Sequence, residues 1–114
     1  MQYALLIHVD EKLEQDISQA EMESLMQAYY AFGDRYKDKI TGGEALQPIA
    51  TATSVRVRDG KTLTTDGPFA ETKEQLNGFY LVNCENLDEA VEIAAHIPGA
   101  SNGTVEVRPV MVFE

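Results

Sequence analysis

The opening run of the chain, residues 3–9, is apolar at nearly every position and has the sequence Tyr-Ala-Leu-Leu-Ile-His-Val. A strand with one face in water alternates apolar and polar residues, so this run predicts a central strand covered on both faces. It is too short to cross a membrane as a helix. Because side chains alternate along a strand, one face takes Tyr3, Leu5, Ile7 and Val9, and the other takes Ala4, Leu6 and His8.

His8 is the one titratable group inside this apolar strand. Two interpretations of it are open. It is either a structural histidine held by hydrogen bonds, or a site histidine, because imidazole exchanges protons near neutral pH.

Two capping boxes, each followed by apolar residues at spacings of three and four, predict two helices. The first begins at Ser18 and is stopped by Gly42-Gly43, and the second begins at Asn86 and ends at Pro98-Gly99. Residues 11–17 are expected only as a polar lead into the first helix. The first helix should pack on the core through Met22, Leu25, Met26, Tyr29, Phe32 and Tyr36. The second should pack through Leu87, Ala90, Val91, Ala94 and Ile97.

Further strands follow from alternation and turn signals. Asp59-Gly60 predicts a hairpin between residues 52–58 and 61–65. A short extended piece is expected over 44–49, a buried strand over 77–84 and a last strand over 104–113. Pro109 requires the last strand to bend, bulge or lie at a sheet edge.

The order β-α-β-hairpin-β-α-β predicts an α+β fold, a ferredoxin-like split βαβ sandwich with an extra β-hairpin. At 114 residues the chain is expected to form a single domain over 1–114. Both helices should cover one face of an antiparallel sheet and leave an apolar face uncovered. Such a face predicts a homodimer in which two sheets enclose a dimeric α/β barrel.

The net charge and the composition limit the classes of partner and cofactor that are expected. Nine basic against 19 acidic residues give a net charge of −10, which disfavours nucleic acid and anionic membrane as partners. The single cysteine, Cys84, excludes an intrachain disulfide and a cysteine-based metal site, and it is expected to be buried and reduced. The two histidines lie far apart without metal-ligand spacing, so no metal or cofactor is expected. Without a signal peptide or membrane span, a cytoplasmic location is expected.

The candidate catalytic residues are His8 and three charged residues that follow the hairpin: Asp66, Glu71 and Lys73. Asp66, Glu71 and Lys73 could supply acid, base and charge stabilisation near the mouth of the chamber, with His8 or Arg108 inside it. Each has a structural alternative: Asp66 as a turn cap, and Glu71 and Lys73, with Glu74, as a network between subunits.

Three further residues are candidates for binding a substrate: Phe69, Tyr80 and Arg108. Phe69 follows the Asp66-Gly67-Pro68 turn and is expected to anchor this loop back into the core. Tyr80 lies on the predicted strand 77–84, and Arg108 is expected inside the chamber.

Three runs of the chain carry a family resemblance. They are Asp66-Gly67-Pro68-Phe69-Ala70-Glu71-Thr72-Lys73-Glu74-Gln75-Leu76, Gly78-Phe79-Tyr80-Leu81 and Val105-Glu106-Val107-Arg108-Pro109-Val110. Together they resemble the DGPF branch of the YCII-related family. The likeness covers nearly the whole chain. It implies a dimeric α+β barrel of bacterial origin, in a family often encoded near extracytoplasmic-function sigma factors. The YCII branch proper carries a His–Asp pair, with its histidine early in the first helix. Here that helix has no histidine, so the pair is not carried over.

Two functions therefore compete. The first is a cofactor-independent enzyme acting on a small organic molecule by proton transfer, isomerisation or elimination. The second is a non-catalytic module that binds a ligand or a protein, with a sigma factor as the partner that the family's gene context suggests.

Overall fold

The computed structural model describes residues 1–113, and its main feature is a four-stranded antiparallel sheet. In chain order the strands of the protein are β1 (Gln2–Val9), β2 (Ile40–Ala45), β3 (Thr53–Arg58), β4 (Lys61–Asp66), β5 (Gln75–Asn83) and β6 (Thr104–Pro109). The main sheet has the order β2-β5-β1-β6, and β3 and β4 form a separate two-stranded ribbon. The helices are α1 (Glu11–Gln15), α2 (Gln19–Arg35) and α3 (Leu87–Ala95). Turns of 3₁₀ helix occupy Ile49–Thr51 and Pro98–Ser101.

The central strand β1 divides its side chains as the sequence predicts. Its odd-numbered residues are buried under the helices, and Leu5 is fully enclosed. Its even-numbered residues Ala4, Leu6 and His8 are only half-buried on the opposite face. The core is completed by Phe32 of α2, by Val82 and Cys84, and by one side of α3 with Ile97.

Both predicted N-caps are present, but the return bonds of the predicted capping boxes differ: the Glu21 carboxylate accepts from the Ser18 hydroxyl, and the Glu89 carboxylate accepts from the Glu85 amide. The Ser18 hydroxyl accepts a hydrogen bond from the Glu21 amide at 3.1 Å, and the Asn86 side chain accepts one from the Glu89 amide at 3.0 Å. These caps satisfy amide groups that the first turn of a helix leaves without a partner.

The predicted end of α2 is wrong. The helix ends at Arg35, the chain turns so that the Ile40 amide donates to the Tyr36 carbonyl, and Gly42 and Gly43 belong to β2. Gly43 has a φ of +150°, and a Cβ there would lie 2.5 Å from the Phe79 carbonyl oxygen. Gly43 therefore permits close strand pairing, and neither glycine stops a helix.

The predicted core-facing sides of α2 and α3 also include residues that the structure leaves partly exposed. Along α2, Phe32 is buried, whereas Met22 and Met26 are 41% and 47% exposed. Along α3, Leu87 and Val91 are half exposed, and Ile93 is the residue that is buried with Ala90 and Ala94. The polar lead over 11–17 contains a helix of its own, α1, which buries no residue and is capped by Asp10.

The predictions for the hairpin turn and for the last strand are closer to the structure. Asp59 and Gly60 have φ angles of 52° and 75°, the paired positive values that a tight hairpin turn requires. The last strand, β6, lies at a sheet edge and ends at Pro109, four residues before the predicted boundary. No helix within residues 1–113 has the length and apolar character needed to span a bilayer.

The two kinds of glycine in this fold give a matched test. We expect Gly43→Ala to lower the free energy of unfolding, because the new methyl group would meet the Phe79 backbone at a φ that alanine avoids. Gly33→Ala in α2 meets no atom within 4 Å, so it should raise that free energy by roughly 0.5–1 kcal/mol. Urea denaturation of both variants measures the two effects, and equal signs would contradict this account of Gly43.

Candidate functional site

A cavity of about 480 Å³ lies between helices α1 and α2 and the β2–β5 end of the sheet. Its size is within the range of small-molecule sites, and its lining is mostly apolar. The residues around it are Ile7, Glu14, Met22, Leu25, Met26, Tyr29, Tyr30, Gly43, Glu44, Ala45, Asn77, Gly78, Phe79 and Tyr80. We call it the helix-side cavity.

The cavity exists because the sheet has almost no side chains beneath this part of α2. Gly43 is paired with Tyr80, and Ala45 is paired with Gly78, so all four lie on the helix-covered face. Gly78 is in turn paired with Ile7 of the central strand. Two glycines and an alanine cannot fill the space below the helix, so Met22 and Met26 line a cavity here instead of packing into a core.

Five residues with titratable side chains line this apolar space: Glu14, Tyr29, Tyr30, Glu44 and Tyr80. Burial raises the pKa of Glu14, and the neighbouring charge of Glu11 raises it further. Burial also raises the pKa of Tyr80. Titratable groups whose pKa values are shifted and that line one cavity are the pattern expected of a functional site.

The pKa of Tyr29 responds to both Glu14 and Tyr80. Burial raises its pKa, hydrogen bonding from the Gly99 backbone offsets part of that rise, and the charges of Tyr80 and Glu14 add to it. Glu14, Tyr29 and Tyr80 all line the same cavity. At neutral pH the phenols of Tyr29 and Tyr80 are therefore protonated hydrogen-bond donors, and they face the same cavity that Glu14 lines.

Tyr80 is held by the core on its other side. Its ring centroid lies 5.0 Å from that of the buried Phe32, in a tilted arrangement. Phe32 in turn lies 5.2 Å from Tyr36. This packing fixes the orientation of Tyr80, one of the three residues that the sequence suggested for substrate binding.

Two other predicted site residues, His8 and Arg108, lie on the opposite face of the sheet. This open sheet face consists of Ala4, Leu6 and His8 with their cross-strand neighbours Phe79, Leu81, Glu106 and Arg108. His8 Nε2 lies 3.5 Å from a Glu106 carboxylate oxygen, yet it is buried without a well-formed hydrogen bond. Arg108 Nε lies 3.8 Å from the other Glu106 oxygen and is largely exposed.

The remaining predicted residues belong to the segment after the hairpin. Asp66 ends β4 in solvent, and Glu71 and Lys73 are exposed in the loop that follows. Phe69 was expected to anchor this loop in the core, and that expectation is wrong, since its side chain is 82% exposed. The loop is held instead by the buried Gln75 amide, which donates to the Ala70 and Thr72 carbonyls at 3.0 Å each.

The structure therefore separates the predicted residues into three places. Tyr80 lines the helix-side cavity, His8 and Arg108 share the open sheet face, and Asp66, Phe69, Glu71 and Lys73 are exposed near the hairpin. Sequence reasoning missed Glu14 and Tyr29. The available signal was the methionine and tyrosine stripe of α2, which continues across a stretch of sheet rich in glycine. Within residues 1–113, no three His, Cys, Asp or Glu side chains are grouped as a metal site would require.

A family model for the YCII-related domain matches residues 1–114. The chain belongs to the YCII-related family. It is also 40% identical over 118 residues to an uncharacterized protein of Rhizobium meliloti (strain 1021), a match that covers all of this chain and 95% of the other.

A solved structure shares the fold of this YCII-related protein. It is the 5-chloro-2-hydroxyhydroquinone dehydrochlorinase of Burkholderia phenoliruptrix AC1100, in complex with 2,5-dihydroxybenzoquinone. The two structures superpose with a TM-score of 0.56, the match covers 97% of this chain and 94% of the other, and the sequences are 14% identical. At that identity the comparison establishes the mixed α+β architecture.

The raised pKa of Glu14 has a consequence for stability. A carboxyl group whose pKa is higher in the folded than in the unfolded protein stabilises the fold at low pH, and that contribution is lost as the pH rises through the folded pKa. We expect Glu14→Gln to raise the midpoint of thermal unfolding at pH 7, and the gain to disappear below the ordinary glutamate pKa of 4.5, where the carboxyl group is protonated in both states.

The control for this experiment is Glu92→Gln, which makes the same change in net charge on the exposed side of α3. The two variants should differ at pH 7, because only Glu14 lines the cavity. Equal shifts in the unfolding midpoint would show that the effect of Glu14 comes from net charge alone.

Proposed function

We propose that this protein catalyses proton transfer on a small, uncharged ring compound bound in the helix-side cavity, with its own side chains as acid and base. The observation that supports this most directly is the convergence of one carboxyl group and two phenols, all with raised pKa values, on an apolar cavity. No lysine or arginine lines that cavity among the described residues. An anionic ligand would therefore lose its water without gaining a cation, whereas an uncharged ligand loses little.

The three groups have complementary roles in this proposal. Glu14, as the carboxylate, takes a proton from a carbon next to the carbonyl of the ligand, because a raised pKa makes it a stronger base. The electron pair of the broken C–H bond moves into the ring system and gives an enolate. Tyr29 and Tyr80 donate hydrogen bonds to the enolate oxygen. Glu14 then returns the proton to another carbon, which completes an isomerisation, or a leaving group departs with its electron pair, which completes an elimination.

The comparison with the dehydrochlorinase is consistent with this class of reaction. That neighbour is named for removing hydrogen chloride from a hydroxylated ring, and it was solved with a quinone bound. The shared fold alone does not transfer the substrate. The narrower assignment to the DGPF branch stays a prediction that rests on the run from Asp66 to Leu76.

We further propose that the working form is a homodimer in which two open sheet faces pack together as a barrel. Leu6, Phe79 and Leu81 lie on this face without a helix above them, and the described chain offers no other element to cover it. In this arrangement the roles predicted for His8, Asp66, Glu71, Lys73 and Arg108 belong to the chamber between the subunits. The sigma-factor association likewise stays a prediction.

A minimal probe tests the reaction. Cyclohex-3-en-1-one is a small uncharged ring whose isomerisation to the conjugated 2-enone needs one proton removed and one returned, and ultraviolet absorbance follows the product. We expect the wild-type protein to catalyse this isomerisation faster than buffer alone does. The rate with Glu14→Gln should be about 100-fold lower than with wild type, or lower still. Tyr80→Phe should lose about 3- to 10-fold, the effect of one hydrogen bond.

Three controls locate the activity. Glu92→Gln should keep the wild-type rate, and Ala45→Phe should abolish it by filling the cavity. His8→Ala should also keep the rate, since His8 lies on the other face of the sheet. Loss of the rate in His8→Ala with its retention in Glu14→Gln would place the chemistry in the chamber between subunits instead.

The dimer has its own test. Leu6→Glu places a charge in the middle of the open sheet face, so we expect it to give a monomer by sedimentation or light scattering at micromolar concentration. Val91→Glu makes the same substitution on the exposed side of α3, where the side chain is 50% exposed, and it should remain dimeric. A wild-type protein that is monomeric under these conditions would refute the barrel.

A further inference from the structure

The ribbon of β3 and β4, residues 53–66, extends from the body of the protein, and we call it the arm. Every residue of β4 and all but one residue of β3 are exposed. Val55, Val57 and Leu63 are between 49% and 60% exposed, so both faces of the arm present apolar side chains to water. An isolated two-stranded hairpin is at best marginally stable. The arm therefore lacks the packing that would hold it in one conformation.

The dimensions of the protein show how far the arm departs from a globular shape. The radius of gyration is 16.1 Å, whereas a compact domain of this length would have about 13 Å. The principal extents are 47, 47 and 18 Å, so the molecule is broad and thin. A projecting arm of this kind is typical of chains that wrap around a second subunit.

The arm and the body carry opposite charge. The arm has three basic residues against two acidic ones, a net charge of +1, which leaves six basic and seventeen acidic residues, a net charge of −11, on the rest of the chain. Pairing across the ribbon places Arg56 opposite Leu63 and Arg58 opposite Lys61, so one face of the arm is basic around an apolar centre. Val55 and Val57 lie with threonines on the other face.

The densest acidic region of the body is the segment of α1 and the start of α2. Residues 10–23 contain six acidic side chains and a single lysine, Lys12. The helix next to them exposes Met22, Met26 and Tyr30, which also line the helix-side cavity. An exposed apolar patch with an acidic border is complementary to a basic face with an apolar centre.

We propose that the arm of one subunit packs across residues 10–30 of a second copy of this chain and covers the mouth of that copy's helix-side cavity. The basic face meets the acidic segment, and Leu63 meets the exposed methionines. The interaction occurs twice in a two-fold dimer, so each subunit completes the cavity of the other. This inference rests on the proposed homodimer, to which it adds a second contact beside the open sheet face.

Carbodiimide cross-linking tests the contact, since it joins an amine to a carboxylate only when the two touch. Unlabelled and ¹⁵N-labelled protein are mixed, allowed to exchange, cross-linked and digested. We expect Lys61 to be joined to a carboxylate within residues 10–23 in peptides that combine the two isotopes. Lys61→Arg keeps the charge but removes the reactive amine, so it should abolish this product and leave sedimentation unchanged.

A charge reversal gives the second measurement. Arg56→Glu combined with Arg58→Glu should raise the dissociation constant of the dimer about tenfold and remove the mixed cross-link. Circular dichroism verifies that this variant is folded. Cross-links of Lys61 confined to its own chain, or to carboxylates outside residues 10–23, would overturn the inference. If wild-type protein sediments as a dimer without the mixed product, the arm contact fails and the dimer stands; if it sediments as a monomer, both fail.

Discussion

The difference between the two faces of β1 determines the rest of this structure. Its odd-numbered side chains are buried beneath α2 and α3 and form the centre of the core, with Leu5 fully enclosed. Its even-numbered side chains lie on a face that no helix within residues 1–113 covers. Because both faces are apolar, one strand supplies both the core of the subunit and the surface that we propose for a partner.

The regular parts of the fold could be predicted because their signals are local. The Ser18 and Asn86 caps, the Asp59-Gly60 turn and the alternation of β1 each depend on a few neighbouring residues. The end of α2 could not be predicted, because Gly42-Gly43 is equally compatible with stopping a helix and with close strand pairing. Phe69 was misjudged for a related reason: an aromatic residue after a turn enters a core only if the loop returns to it, and Gln75 holds this loop at the surface.

The helix-side cavity was the part of the site that sequence could least reveal. A stripe of methionine, leucine and tyrosine at helical spacing has the same pattern whether it faces a packed core or an empty volume. Whether α2 faces a packed core or a cavity depends on the sheet opposite it. There Gly43, Ala45 and Gly78 come together only after β2 and β5 have paired. Tyr80 was found as a candidate because it lies in a recognisable run, whereas Glu14 lies in a short helix that the sequence did not indicate.

Cys84 has a practical consequence for spectroscopy. The one thiol of the chain is buried, and burial, followed by the adjacent Glu89 carboxylate, raises its pKa. A thiol that is both inaccessible and protonated reacts slowly with maleimide or methanethiosulfonate reagents. A cysteine introduced at an exposed position such as Thr62 would therefore accept a fluorophore or nitroxide selectively, without removal of the native residue, so distances within and between molecules can be measured on an otherwise unaltered protein.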